Sequence, residues 1–318
     1  MKRARLVLIT VFIFFLALVM FLKPLIIFIA KSQVEKLLPG SSVIIKDCSV
    51  NFFRQVSFSD VHVSKKPGYD FKIKQFQVYF SPASIFKGLK KGNLWELIES
   101  CQISVDSLEV NQVRLESGYL KVTQGYDDGV IKIKEVKAGK LNIKDIRGKV
   151  GLKNEYLLLD SLSAELLDGH LEGDSRIKLA GSITYEAKLN FVDLCADTFI
   201  KDFEFNEKVE VSGKVSGFLK LQGQLQEVVI LDGKLSTGKD GGILTIKDTR
   251  FLENLARGSG QATDLVAESF KNYRYNTGIA TISLEDNNNI IFLINLDGSA
   301  GKRSLNITLR DFNLRRMQ

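Results

Sequence analysis

The chain is poor in the residues that usually carry chemistry: its 318 residues include two histidines, three cysteines and one tryptophan. His62 (Val61-His-Val63) and His170 (Gly169-His-Leu171) sit on predicted strands without an acid-base partner at a recognisable spacing, so both read as structural or surface histidines. Cys48, Cys101 and Cys195 are odd in number, far apart and never in a Cys-x-x-Cys pair. That indicates neither zinc nor a disulfide framework, and free thiols are expected. Patterns for a nucleophile elbow, a zinc protease, a phosphate-binding loop or a dinucleotide fold are absent. Asp127-Asp128 and the run from Asp286 to Asn289 have the composition of metal ligands, but they fall between strands, where Asp and Asn serve turns. Lys87, Lys90 and Lys91 read as a solvated loop. No enzymatic activity, metal or cofactor is expected.

Acid is missing from the start of the chain. Residues 1–31 hold Lys2, Arg3, Arg5, Lys23 and Lys31 and no carboxylate, and so account for +5 of the net charge of +7. The rest is nearly neutral, which argues against nucleic acid as a partner. The same stretch holds the one long apolar run: Leu6, Val7, Leu8, Ile9, Val11, Phe12, Ile13, Phe14, Phe15, Leu16, Leu18, Val19, Phe21 and Leu22, with Thr10 its only polar member. After Lys23-Pro24, residues 25–30 add six more apolar positions. Roughly 20 such residues in a helix cross a bilayer core. Basic residues in front of the run keep the start cytoplasmic and send the rest outside. A cleaved secretory signal is the alternative; the run exceeds the usual ~7–15 residue apolar core of a signal, and no small-x-small cleavage pattern follows. We therefore expect a membrane anchor over 1–31 and a second domain over 32–318.

Beyond Leu38-Pro39-Gly40 the chain alternates apolar and polar residues in short pieces, the grammar of half-buried strands. Ser42–Val50, Gln55–Val63 and Asp70–Phe80 begin it, with a change of phase between Ile73 and Phe76 that predicts a bulge. Similar pieces run from Gln102 to Leu152, and their phase flips predict further turns or bulges. The cleanest alternation is Val209 to Leu225, with Val209, Val211, Val215, Leu219, Leu221 and Leu225 on one face and glycine at 213, 217 and 223 between them. Unbroken, it would span ~55 Å, so it must curve or split at those glycines. Related glycine-spaced pieces recur at 167–181 and 231–235 without a fixed period, which suits a meander rather than a solenoid. Short helices are expected over Ser81–Gly88, Thr249–Ala256 and Ala262–Lys271.

The fold class is thus all-β, mainly antiparallel: a curved, elongated sheet with a few short helices and one N-terminal transmembrane helix. Its apolar face must be covered. Closure into a sandwich is one solution; an open trough filled by acyl chains, which gain ~0.8 kcal/mol per buried CH₂, is the other.

Three features give a resemblance to a known family. They are the anchor and first strands leading into Phe76-Gln-Val-Tyr-Phe-Ser-Pro-Ala-Ser-Ile-Phe-Lys-Gly88; the run Gly-x-Val-x-Gly-x-Leu-x-Leu-x-Gly over 213–223; and the ending from Phe270 and Tyr273-Arg-Tyr275 through Gly298–Arg303 to Leu305–Leu309. On these the chain resembles the AsmA-like family of bacterial envelope proteins, relatives of TamB and of the YdbH group. The resemblance implies a single-pass inner-membrane anchor and a periplasmic β-groove that carries phospholipid toward the outer membrane. Roughly 15–20 strands at ~4.8 Å give only ~70–95 Å of groove, which favours an envelope protein partner or an oligomer over a solo bridge. A membrane-anchored scaffold for outer-membrane proteins, with a closed core and no lipid, is the rival reading.

Overall fold

In the computed structural model the alternating segments become antiparallel strands joined mostly by short turns. The structure describes residues 23–32, 34–35, 38, 40–51, 54–66, 69–80, 99–110, 113–124, 128–153, 156–178, 184–224, 227–285 and 289–309. The apolar run from Leu6 to Leu22 and the helix expected over Ser81–Gly88 lie outside the described residues. Among the described residues no helix is long and apolar enough to cross a membrane. The chain divides into two units, 1–124 and 125–318.

In the first unit β1 (Ser42–Asn51), β2 (Gln55–Lys65), β3 (Tyr69–Tyr79), β4 (Ser100–Val110) and β5 (Val113–Gln124) pair in chain order. Register sets Cys48, Phe58, Phe76, Ile103 and Leu120 side by side in one row. The helix over 23–32 lays Ile26, Ile27 and Ala30 against the core of this sheet, which includes Val43, Cys48, Phe58 and Val63. The bulge expected between Ile73 and Phe76 is present, as register shifts on both sides of Ile73.

The second unit is a meander with two excursions. Strands β6 (Val130–Ala138), β7 (Leu141–Lys153), β8 (Tyr156–Leu166), β9 (Gly169–Lys178) and β10 (Thr184–Cys195) follow in order. The chain then leaves through α1 (Ala196–Asp202) and β11 (Val209–Val211), and returns as β12 (Lys214–Gln224) beside β10. After β13 (Glu227–Thr237) it leaves again through β14 (Gly242–Ile246), α2 (Thr249–Ser259), α3 (Thr263–Ser269) and β15 (Tyr273–Tyr275). It rejoins as β16 (Thr277–Leu284) beside β13, followed by β17 (Ile290–Gly298) and β18 (Gly301–Leu309). The two excursions meet as a three-stranded sheet in the order β11-β14-β15.

That sheet and its helices form a closed cap. Leu244, Leu252, Val266, Phe270 and Tyr273 are buried together with Leu296 and Leu305 of the main sheet. Local sequence explains the helices: the Asp248 carboxylate accepts the Arg250 and Phe251 amides at 3.0 and 3.2 Å to start α2, and Gly260 at φ 65° ends it. The long strand considered over Val209–Leu225 is not continuous. It breaks at Ser212-Gly213, where Gly213 has φ 113° and an added Cβ would stand 2.5 Å from the Gly241 carbonyl oxygen.

Apart from the bulge of β3 at Ile73, several changes of strand phase share one cause. Asp60, Ser117, Asp145, Ser161 and Asp193 all lie inside strands with φ between 49° and 54°. Each left-handed residue turns the pleat by one position, so that Leu157 and Leu159, before Ser161, share a face with Leu162 and Ala164, after it.

Candidate functional site

Register in the second unit assembles an apolar face that no single strand reveals. One row runs Leu162, Gly173, Leu189, Leu219, Gly233, Ile282, Phe292, Ile307 across β8, β9, β10, β12, β13, β16, β17 and β18. The next runs Ala164, Leu171, Phe191, Gly217, Leu235, Ala280, Ile294, Leu305. A third begins Ser175, Ala187, Leu221, Leu231. The opposite face is polar, with rows such as Lys188, Lys220, Asp232, Ser283. Phe218, Ile279 and Leu293 are apolar exceptions there, the last two 43% and 41% exposed, and the Lys220 ammonium covers the Phe218 ring at 5.6 Å.

Coverage differs along these rows. Leu189, Leu219, Leu221, Leu231, Leu235 and Ile282 are half-buried, and none belongs to a buried core cluster among the described residues. Apolar side chains in a finished core are packed on all sides; these keep part of their surface open among the described residues. The glycines within the rows are crowded on the apolar side. An added Cβ on Gly217 would lie 2.0 Å from the Lys234 carbonyl oxygen, and on Gly173 it would lie 2.2 Å from that of Lys188. Neighbouring backbone therefore leans over the apolar face, and only glycine fits beneath it.

Of the residues picked out by alternation, Val215, Leu219 and Leu221 share this face on β12. Val209 and Val211 are separated from them: they sit on β11 and pack against the closed cap. Leu225 lies outside the described residues. Sequence reasoning missed the cross-strand partners Leu162, Leu189, Phe191, Leu235 and Ile282. Each alternates within its own strand, but only register shows that they meet.

No constellation for catalysis accompanies the face. His62 does have a partner after all, Asp70, at 2.5 Å on the polar side of β2 and β3, with Lys72 3.5 Å from the same carboxylate. Burial works to raise the Asp70 carboxyl, yet the His62 hydrogen bond and charge, helped by Lys72, hold it below the ordinary aspartate range. Among the described residues no hydroxyl or thiol is bonded to this pair, which forms an ion-pair network with Lys72. Among the described residues no group of His, Cys, Asp and Glu could hold a metal ion. All three cysteines are free, and burial pushes the Cys101 thiol up to about 11.

A family model described as YdbH-like, intermembrane phospholipid transport protein YdbH, matches residues 98–310, two thirds of the chain and nearly all of the strands just described. No curated protein and no solved structure matches the chain.

Proposed function

The chain belongs to the YdbH-like family of intermembrane phospholipid transport proteins, and we propose that it carries phospholipid without catalysis, sheltering acyl chains on the apolar face of β8 to β13. The observation that carries this reading is the pair of register rows through Leu219 and Gly217, apolar along their length and half-buried in their middle. Water against such a face is unfavourable, and each methylene laid on it gains ~0.8 kcal/mol. Crowding of backbone over Gly173 and Gly217 supports a sheet that curls toward this side, the form a groove needs. In the same reading, Leu6–Leu22 anchors the protein once in the bacterial inner membrane, the bulk of the chain is periplasmic, and transfer runs toward the outer membrane. An envelope protein partner or further copies extend its reach.

The test places a photo-activatable leucine at position 219 of the full membrane-anchored chain in cells, followed by mass spectrometry of the cross-linked adducts. Phospholipid adducts are expected, and Leu219→Asp should abolish phospholipid binding while the far-ultraviolet β signal stays intact. An intact sheet with no lipid at position 219 would sink the carrier reading and leave the scaffold, which a protein strand added to the open edge of β18 would suit.

A further inference from the structure

On one rim of the second unit, strand ends converge on a cleft of about 770 Å³. The β6–β7 turn, the β8–β9 turn and α1 enclose it. Its lining is charge-balanced: Lys137, Lys140 and Lys144 stand with Glu165, Asp168 and Asp202. Its floor includes Leu166, 6% exposed and paired in register with Gly169. Leu166 lies two positions along β8 from Ala164 on the apolar face, while Lys137, Lys144, Glu165 and His170 lie in register on the opposite face. The cleft therefore straddles the rim, and the apolar row through Leu171, Phe191 and Gly217 reaches it only at Leu166.

Helix α1 adds a second feature. Thr198 and Asp202 line the cleft, while Phe199 and Phe203 follow each of them by roughly 100° around the helix. Phe199, Phe203 and Phe205 form a ladder with ring centroids 4.6 and 6.3 Å apart. Phe199 and Phe205 are 39% and 40% exposed, an unusual fate for adjacent aromatics in water. Lys140 meets Glu204 at 2.6 Å, with the Glu204 side chain 76% exposed, and an exposed pair of this kind is weak and exchanges readily for another partner. Lys137 meets Glu135 at 3.0 Å, where the Glu135 carboxylate is 18% exposed and also accepts from Asn142 at 2.8 Å.

Resting on the carrier reading above, we propose that this cleft seats the headgroup of a zwitterionic phospholipid bearing a primary ammonium. The phosphate lies against the lysines and the ammonium against the carboxylates. The glycerol end rests along the phenylalanine ladder, and the acyl chains run onto the rows of Leu171 and Leu189. A purely anionic headgroup would call for lysines alone; the matching carboxylates favour the zwitterion.

The test uses the full chain in detergent and the chainless probe sn-glycero-3-phosphoethanolamine, with inorganic phosphate and sn-glycero-3-phosphoglycerol as comparators, by calorimetry. Wild type should bind the ethanolamine probe tightest of the three. Lys140→Glu with Lys144→Glu should weaken it at least tenfold. Asp168→Asn with Asp202→Asn should erase its advantage over the glycerol probe. Equal binding of all three probes, or no change in either double variant with the β signal intact, overturns the proposal. The photo-leucine at position 219 separates the two readings. Lipid captured there with the same headgroup composition in wild type and lysine variants sinks the cleft and spares the groove; a cleft that binds its probe while position 219 captures nothing sinks the groove and spares the cleft.

Discussion

One register row passes through two environments. In mid-sheet, Leu235 is half-buried and outside any closed core; at the far end of the same row, Leu305 is 5% exposed beneath the cap. The strands have the same grammar at both places. What differs is the chain's route: the excursions between β10 and β12 and between β13 and β16 supply β11, β14, β15, α2 and α3, which cover β17 and β18 and stop there. In the first unit a third solution appears, where the helix over 23–32 covers the sheet with Ile26, Ile27 and Ala30. Alternation makes a face apolar, then, but insertions decide where protein covers it.

The strongest way to break this contrast is to truncate one side chain in each environment. Phe270, 6% exposed within the cap, should cost about 3–5 kcal/mol on Phe270→Ala, the range for emptying a packed aromatic site. Leu235→Ala on the open row should cost about 1 kcal/mol in lipid-free protein, because the side chain is only half-buried among the described residues and has less packing to lose. Denaturant midpoints by circular dichroism measure both. Equal costs would mean that something in the chain covers the open row, and the groove would be lost as an idea.

A smaller effect is expected from the backbone side of the same comparison. Gly217→Ala drives a Cβ into the Lys234 carbonyl and should cost about 1–3 kcal/mol, the usual range for overpacking. Gly258→Ala, in α2 of the cap with open space around it, should instead stabilise by about 0.5–1 kcal/mol, through helix propensity. Opposite signs in a thermal melt would confirm that glycine is required at position 217 and incidental at position 258.

Much of this was legible in the sequence. β1, β2, β3, α2 and α3 fall within a few residues of where alternation, capping and helical spacing put them, because those signals are local. Ser117 and Asp145 were visible only as phase flips within 102–152, and Asp60, Ser161 and Asp193 went unread, since nothing in a single aspartate or serine announces φ near 50°. The separation of Val209 and Val211 from Leu219 was not legible either. It depends on the Tyr275 hydroxyl donating to the Ser212 carbonyl 63 residues away, at 2.5 Å, and on Gly241 meeting Gly213, contacts that form only after the excursions fold together. Helix α1 was missed because seven residues carry too little periodicity to register. Of the apolar face, one strand's alternation named Val215, Leu219 and Leu221, and the cross-strand partners stayed hidden, as they must for a face that exists only through register.

The mildest test uses a cysteine already in place to ask whether the apolar face of the first unit is covered in solution. Cys101 stands in a row with Val56, Val78 and Val122, and burial pushes its thiol up to about 11. An unfolded thiol ionises near pH 8.5. Between those values the native state keeps a proton that the unfolded state has released, so this group's contribution to stability is whole below about pH 8.5 and declines as pH rises toward 11. The thiolate is the reactive form, so at pH 8 alkylation of Cys101 by iodoacetamide should run roughly a hundredfold slower than for a free thiol, quickening about tenfold per pH unit. Peptide mapping by mass spectrometry reads each cysteine separately in the unaltered chain. A free-thiol rate at Cys101 would mean that the apolar face of the first unit is as open as that of β8 to β13.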